Sequence, residues 1–317
     1  MARAIVVGSG VVGTATGKGL LRMGHAVTFV DLSPSRLRAL RGEGLAATNV
    51  VNLAGPPAYV FLCLPTPNVG DAYDLKAFTV GVETVGRALR DSSAFHTIVV
   101  RSTVPPGTCD QLVTPVLQSQ SGKVAGEHFA VASNPEFLRA ACALEDVLNP
   151  WMTVIGSRSK RTIERLTELL KPYGGEFRTF GTPVEAELVK CAHNLFNAAK
   201  ISFWNEIWLV ARELKVTNMD QIAATVARSA EGSINIEYGI KAGMPFGGVC
   251  LPKDTRGFLG FARELGVHMP LLEGVVRVNE AAEEATLEEL SDMLDTHPAL
   301  EDGRAPETSN GSSPTPA

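Results

Sequence analysis

The run Gly8-Ser-Gly10-Val-Val-Gly13 follows an apolar, β-branched stretch, Ala4–Val7, and passes directly into a helical pattern, Val11–Met23. Few folds accept a strand, a glycine turn and a helix N-terminus in such close succession. It is the opening βα unit of a doubly wound α/β domain. Gly8 suits the tight turn, Gly10 leaves room for a pyrophosphate, and Gly13 lets the helix lie close to the strand. The unpaired N–H groups of the helix then face the phosphates, with Val11 and Val12 on the first turn. Asp31 follows the next apolar run, Ala26–Val30, where a carboxylate accepts hydrogen bonds from the hydroxyls of an adenosine ribose. The same charge repels a 2′-phosphate, so the pattern points to NAD rather than NADP.

The first half of the chain keeps this alternation. Strand patterns at Ala58–Leu62, Thr97–Val100, Phe129–Ala132 and Thr153–Ile155 are interleaved with helical patterns such as Pro34–Arg41 and Leu75–Leu89. Several strands are apolar at nearly every position, as a parallel sheet covered by helices on both faces requires. Near Gly181 the character changes. Pro183–Leu214 reads as one long helix, with Pro183 suited to its first turn, and shorter helices follow around Met219–Arg228, Asp254–Leu265 and Leu271–Leu294. The expected fold is α/β: a Rossmann-type doubly wound sheet over residues 1–181, followed by a helical domain with a long central helix over residues 182–296. Residues 297–317 are poor in apolar side chains and rich in Pro, Ser and Gly, which predicts a disordered tail. A length of 317 residues fits two domains, since a single core rarely grows past roughly 250–300 residues.

Composition narrows the function classes. A hydrophobic fraction of 45% is too high for a disordered chain, and no apolar run is long enough to span a bilayer. A net charge of −5 gives no global positive field to hold nucleic acid or anionic lipid. The chain opens Met-Ala-Arg and goes straight into Ile5-Val6-Val7, a strand rather than a signal peptide. Cys63, Cys109, Cys142, Cys191 and Cys250 lack paired short spacings, which argues against a zinc cluster and suits a reducing compartment. A cytoplasmic location is expected.

The second informative stretch is Phe246-Gly247-Gly-Val-Cys250-Leu-Pro-Lys253-Asp254. Here the glycines free the backbone, Cys250 sits in the loop, and Asp254 begins the next helix. A helix N-terminus and a neighbouring lysine favour the thiolate, which is the nucleophilic form. Cys63, Cys142 and Cys191 lie in apolar or helical text and read as packing residues, and Cys109 follows Pro-Pro-Gly-Thr with no base nearby in sequence.

Taken together, the blocks resemble the UDP-glucose/GDP-mannose dehydrogenase family. They are Gly8–Gly13 with Asp31, Leu64-Pro-Thr66-Pro67, Ser102-Thr103-Val-Pro105, Asn134-Pro-Glu136-Phe137-Leu138-Arg139, Glu185-Ala-Glu-Leu-Val-Lys190, Asn194, Asn205-Glu206 and the Cys250 loop. The stretches Leu251-Pro252-Lys253-Asp254, Trp151–Gly156 and Ile234-Asn235-Ile236 look closer to the GDP-mannose 6-dehydrogenase branch. The resemblance implies oxidation of a sugar-nucleotide alcohol to a carboxylate in two NAD-dependent steps. It assigns Cys250 as the nucleophile that adds to the aldehyde, giving a thiohemiacetal and then a thioester. Lys190 and Asn194, at i and i+4 on one helix, would steady the oxyanion, Asp254 would move a proton, and Thr103 and Glu136 would place water and cofactor. Arg36, Thr66 and Lys253 join the cofactor set, and Phe137, Leu138, Arg139, Phe246 and Gly247 the substrate set, with Lys190 and Asn194 serving both chemistry and substrate.

The chain departs from the family pattern in places. Ala140 stands where the family has a second glutamate, and Ser233 where the GDP-mannose branch has an arginine. Members also continue into a third domain that completes the sugar-nucleotide site, whereas a polar tail stands here, so that domain is expected to be lacking. Two alternatives stay open: a two-electron dehydrogenase that releases the aldehyde, and a non-catalytic NAD-binding partner subunit. Ile201, Phe203, Trp204, Ile207, Trp208, Leu209 and Val210 cover more of the long helix than one face can bury, which predicts a homodimer through helix 183–214.

Overall fold

The alternation of apolar residues settles into a sheet with two buried faces. The computed structural model describes residues 1–296, with side chains to residue 288; the tail expected over 297–317 lies outside the described residues. The strands are β1 (Arg3–Val7), β2 (Ala26–Val30), β3 (Ala47–Thr48), β4 (Ala58–Leu62), a small hairpin of β5 (Asn68–Val69) and β6 (Ala72–Tyr73), β7 (His96–Val100), β8 (Phe129–Ser133), β9 (Met152–Gly156) and β10 (Glu176–Phe180). All but the hairpin join one sheet in the order β10-β9-β8-β7-β4-β1-β2-β3. Ile5 and Val7 of β1 enter one core with Val60, Leu62, Ile98 and Val100. Ala4 and Val6 enter the opposite core with Phe61, Val99 and Ala132. Successive side chains point to opposite faces, so both faces of the sheet are covered. Pairing is parallel except where β9 meets β8 at Ser133–Gly156, so the sheet is mostly rather than wholly parallel.

Helices α1 (Val11–Arg22), α2 (Pro34–Gly42), α3 (Lys76–Arg90), α4 (Thr114–Ser121), α5 (Ala143–Leu148) and α6 (Lys160–Leu170) supply the cover. Their starts follow local chemistry. Ser33 Oγ accepts from the Arg36 N–H before α2, which has Pro34 in its first turn, and Ser159 Oγ accepts from the Thr162 N–H before α6. On α3, Phe78, Val82, Val85 and Leu89 form the buried stripe.

Residues Met1–Phe196 form one compact unit and a second begins at Asn197, inside the long helix α7 (Pro183–Glu213). The second unit continues with α8 (Met219–Ser229), α9 (Glu231–Ile234), α10 (Cys250–Glu264) and α11 (Pro270–Thr296). Val210 packs there with Leu259, Ala262, Val267 and Met269 in a core of its own. One expectation is corrected. Cys250 does not sit in a loop ahead of a helix that starts at Asp254; it is the first residue of α10. Pro252 hides this from the sequence, yet a proline costs nothing in a first turn, where the N–H would have no helical partner.

Candidate active site

The sheet brings its loops together at one edge. β1, β2, β4, β7 and β8 are parallel neighbours, so their C-terminal ends deliver Gly8, Asp31, Cys63, Arg101 and Asn134 side by side. The main chain continues the ladder into these turns: Gly8 N–H donates to Val30 O at 2.8 Å, Cys63 N–H to Val7 O at 2.8 Å, and Arg101 N–H to Leu62 O at 2.9 Å. A cleft of about 550 Å³ opens there. Of the residues singled out by sequence, Gly8, Gly10, Val11, Val12, Asp31, Arg36, Thr66, Thr103 and Glu136 line it.

Gly13 lies behind that lining, where a Cβ would overlap the Gly8 carbonyl; a Cβ on Gly8, whose φ is +92°, would overlap the Cys63 carbonyl. A Cβ on Gly10, by contrast, meets only the Arg36 guanidinium, at 3.7 Å, and otherwise projects into the open cleft. Asp31 accepts from the Ser9 N–H (2.7 Å) and hydroxyl (2.6 Å) and from the Ser33 N–H (2.8 Å), with Arg36 at 3.6 Å. Burial pushes its carboxyl up, but those hydrogen bonds and the Arg36 charge outweigh it and hold the group below the usual carboxylate range. Thr66 Oγ1 donates to the Thr103 carbonyl at 2.6 Å, tying two loops of the cleft together.

Glu136, which lines the cleft, meets Lys190, which does not. The Lys190 ammonium lies 3.4 Å from Glu136 Oε1, with both side chains largely buried, and the Leu138 N–H donates to Glu136 Oε2 at 2.5 Å. Lys190 Nζ sits 5.3 Å from the centre of the Phe137 ring, which packs against His193 and Trp151. Burial and then the Lys190 charge push the His193 imidazole down, so it is neutral at neutral pH. Asn194, one turn beyond Lys190, is exposed, so the two residues share a helix side but not an environment. Arg139 is held by Asp146 through two guanidinium contacts, at 3.2 and 2.7 Å.

The remaining candidates belong to the second unit. Cys250 is exposed at the start of α10; Lys253 and Asp254 pair with each other at 2.7 Å on its first turn, both well exposed; Phe246 and Gly247 lie in the preceding loop. Among the other thiols, burial pushes Cys63 up to about 12, lifts Cys109 well above its ordinary value with help from Glu187, and raises Cys191. These three are poor nucleophiles.

Arg101 was not legible as a site residue. It lines the cleft, and its guanidinium donates to Asn134 Oδ1 (2.6 Å) and Thr16 Oγ1 (3.3 Å), fixing the turn that carries Glu136. Its only sequence signal is its place directly before Ser102-Thr103. His193, three residues after Lys190, was likewise missed.

The family model described as UDP-glucose/GDP-mannose dehydrogenase family, NAD binding domain, matches residues 45–174, and the model of the family's central domain matches residues 184–281. The chain belongs to the UDP-glucose/GDP-mannose dehydrogenase family. GDP-mannose 6-dehydrogenase of Azotobacter vinelandii is 32% identical over 93% of this chain and 71% of its own. UDP-glucose 6-dehydrogenase AglM of Haloferax volcanii is 31% identical over 92% of this chain and 72% of its own. A ternary complex of GDP-mannose dehydrogenase from Pseudomonas aeruginosa superposes with a TM-score of 0.83 at 30% identity, covering 92% of this chain and 71% of that one. As in the family, the cofactor is NAD, and the residues present fit it: a cleft left open at Gly10, a helix N-terminus without a side-chain cap, and an acidic residue at the end of β2. Among the described residues, no helix is long and apolar enough to cross a membrane.

Proposed function

We propose that this chain is an NAD-dependent dehydrogenase that oxidises a primary alcohol on a UDP- or GDP-sugar, or a related nucleotide, to the carboxylate. The observation that carries the reading is the buried Glu136–Lys190 pair, whose glutamate belongs to a glycine-lined dinucleotide cleft, together with an exposed cysteine opening α10 in the same chain. Gly8, Gly10 and the first turn of α1 would hold the pyrophosphate of NAD, and Asp31 the ribose, with Arg36 and Thr66 at the cleft wall and Lys253 as a further contact. When bound, NAD⁺ supplies a hydride acceptor for each oxidation level.

The chain's own residues supply the rest. Cys250 adds through its thiolate to the aldehyde carbon; the adduct is a thiohemiacetal and, one oxidation level higher, a thioester that water cleaves. Lys190, a buried cation fixed by Glu136 and the Phe137 ring, donates hydrogen bonds to the oxyanion that develops at that carbon, with the Asn194 amide one turn away. Glu136 is an acceptor that orients water, Asp254 carries protons, and Thr103 anchors the cleft wall. Phe137, Leu138, Phe246 and Gly247 contact the substrate. Arg139 does so only if its Asp146 pair opens.

Ala140 favours one second reading, release of the aldehyde, because no carboxylate stands there to assist thioester hydrolysis. NADH counted per GDP-mannose or UDP-glucose consumed separates the two, with two expected for full oxidation and one for aldehyde release. Cys250→Ala should lower acid formation from supplied aldehyde by about a thousandfold or more. Wild-type acid formation by that variant would remove the nucleophile role.

A further inference from the structure

One side chain on α11 has its whole amide engaged by the loop that leads to Cys250 and by its own helix. Asn279 Oδ1 accepts from the Phe246 N–H at 2.7 Å, and its Nδ2 donates to the Phe246 carbonyl at 3.1 Å and to Glu283 Oε1 at 2.9 Å. The reciprocal pairing fixes the amide's orientation, because the flipped amide would set N–H against N–H and oxygen against oxygen. α11 is itself anchored. Glu206 of α7, buried, accepts from the N–H groups of Leu271 (2.5 Å) and Leu272 (3.1 Å) in its first turn. Beside Asn279, Glu280 pairs with Arg256 of α10 at 2.6 Å.

Only Gly247, Gly248 and Val249 separate the clipped residue from Cys250, and Gly248 has a φ of +78°. Two glycines offer no side chain to pack, so the loop is fixed at its ends rather than along its length. One end is the first turn of α10, and the other is the Asn279 clip. We propose that Asn279 is a positioning residue: by gripping both main-chain polar groups of Phe246 it holds the start of α10, and with it the Cys250 thiol, in one presentation. The inference rests on the reading of Cys250 as the nucleophile, but it is tested without turnover.

The test is site-resolved alkylation of Cys250 by iodoacetamide in the full chain, read by mass spectrometry across the mildly acidic to alkaline range. Asn279→Leu removes the clip. Asn279→Asp keeps an acceptor for the Phe246 N–H but loses the donor to the Phe246 carbonyl, which a carboxylate oxygen then faces. Helix N-terminal N–H groups favour the anionic sulfur that reacts, so a first turn loosened by losing the clip should slow alkylation about threefold. Asn279→Leu should be slow relative to wild type where the thiol is mostly protonated, and the deficit should close in alkali, where both thiols are ionised. Asn279→Asp should be slow over the same range, because the donor half of the clip is lost.

Wild-type rates in both variants, or a deficit in Asn279→Leu that persists unchanged in alkali, would overturn the proposal. Acid formation by Cys250→Ala at the wild-type rate would remove the nucleophile reading and leave the alkylation result standing. The two failures are therefore distinguishable.

Discussion

We propose that Asp31 is where the chain discriminates between two nearly identical cofactors. Its carboxylate is held by three donors from Ser9 and Ser33, and its depressed pKa keeps it ionised through the neutral range. With the folded pKa lowered, the stability it contributes is present above the ordinary carboxylate range and lost as pH falls through the folded value. Asp31→Ala should weaken NAD binding about tenfold and narrow its advantage over NADP, because Arg36 would then face the ribose without its anionic partner. Titration calorimetry with both cofactors reads this directly; equal affinities in the wild-type chain would reject the assignment. The place of Asp31 in the cleft was legible in sequence because it depends only on where the second strand ends. Arg101 was not, because Thr16 and Asn134 lie far from it along the chain and only the sheet brings them to its guanidinium. The same holds for the Lys190–Glu136 contact, whose partners were named separately by resemblance but whose 3.4 Å separation belongs to the fold.

At the scale of elements, α7 is joined to the sheet by a buried carboxylate. Glu187, 2% exposed, accepts from the Gly107 N–H at 2.5 Å and the Cys109 N–H at 2.9 Å, which ties the turn after Thr103 to the helix that carries Lys190. A glutamine can offer one oxygen to those two donors and must turn an NH₂ toward the other. Glu187→Gln should therefore destabilise the fold by about 1–3 kcal/mol, measured by denaturant unfolding, with unchanged stability as the contrary result. Nothing local in Glu185-Ala-Glu187 distinguished this residue from a solvated helix face. Elements with strong patterns were legible: the expected Ala26–Val30 and Ala58–Leu62 strands have those bounds, and α1 and α3 begin or end within a residue or so. β10 was missed because Glu176-Phe-Arg-Thr-Phe180 is an exposed edge strand with charges where alternation would be read. The start of α10 was missed because Pro252 reads as a helix breaker when it stands in the first turn.

For the whole molecule, the question is what covers the outer side of the long helix. Of the apolar residues read there from sequence, Val210 is buried and Ile207 and Leu209 pack against the second unit's core. Ile201, Phe203 and Trp208 remain 63, 41 and 48% exposed, with the Arg212 guanidinium over the Trp208 ring. Isolated exposed apolar residues need no explanation, but Ile201 and Trp208, seven residues apart, lie on one side of the helix and form an apolar patch there, with Phe203 on the opposite side. A helix meeting its own copy about a two-fold axis buries the same patch from both sides, which makes a closed dimer the economical cover. We therefore propose a homodimer built on α7. Light scattering at micromolar concentration should give twice the chain mass, and Trp208→Glu should shift it to the monomer by placing a carboxylate in the centre of an apolar contact. A monomeric wild-type chain, with the variant equally soluble and equally able to bind NAD, would reject the dimer and leave the patch as plain surface.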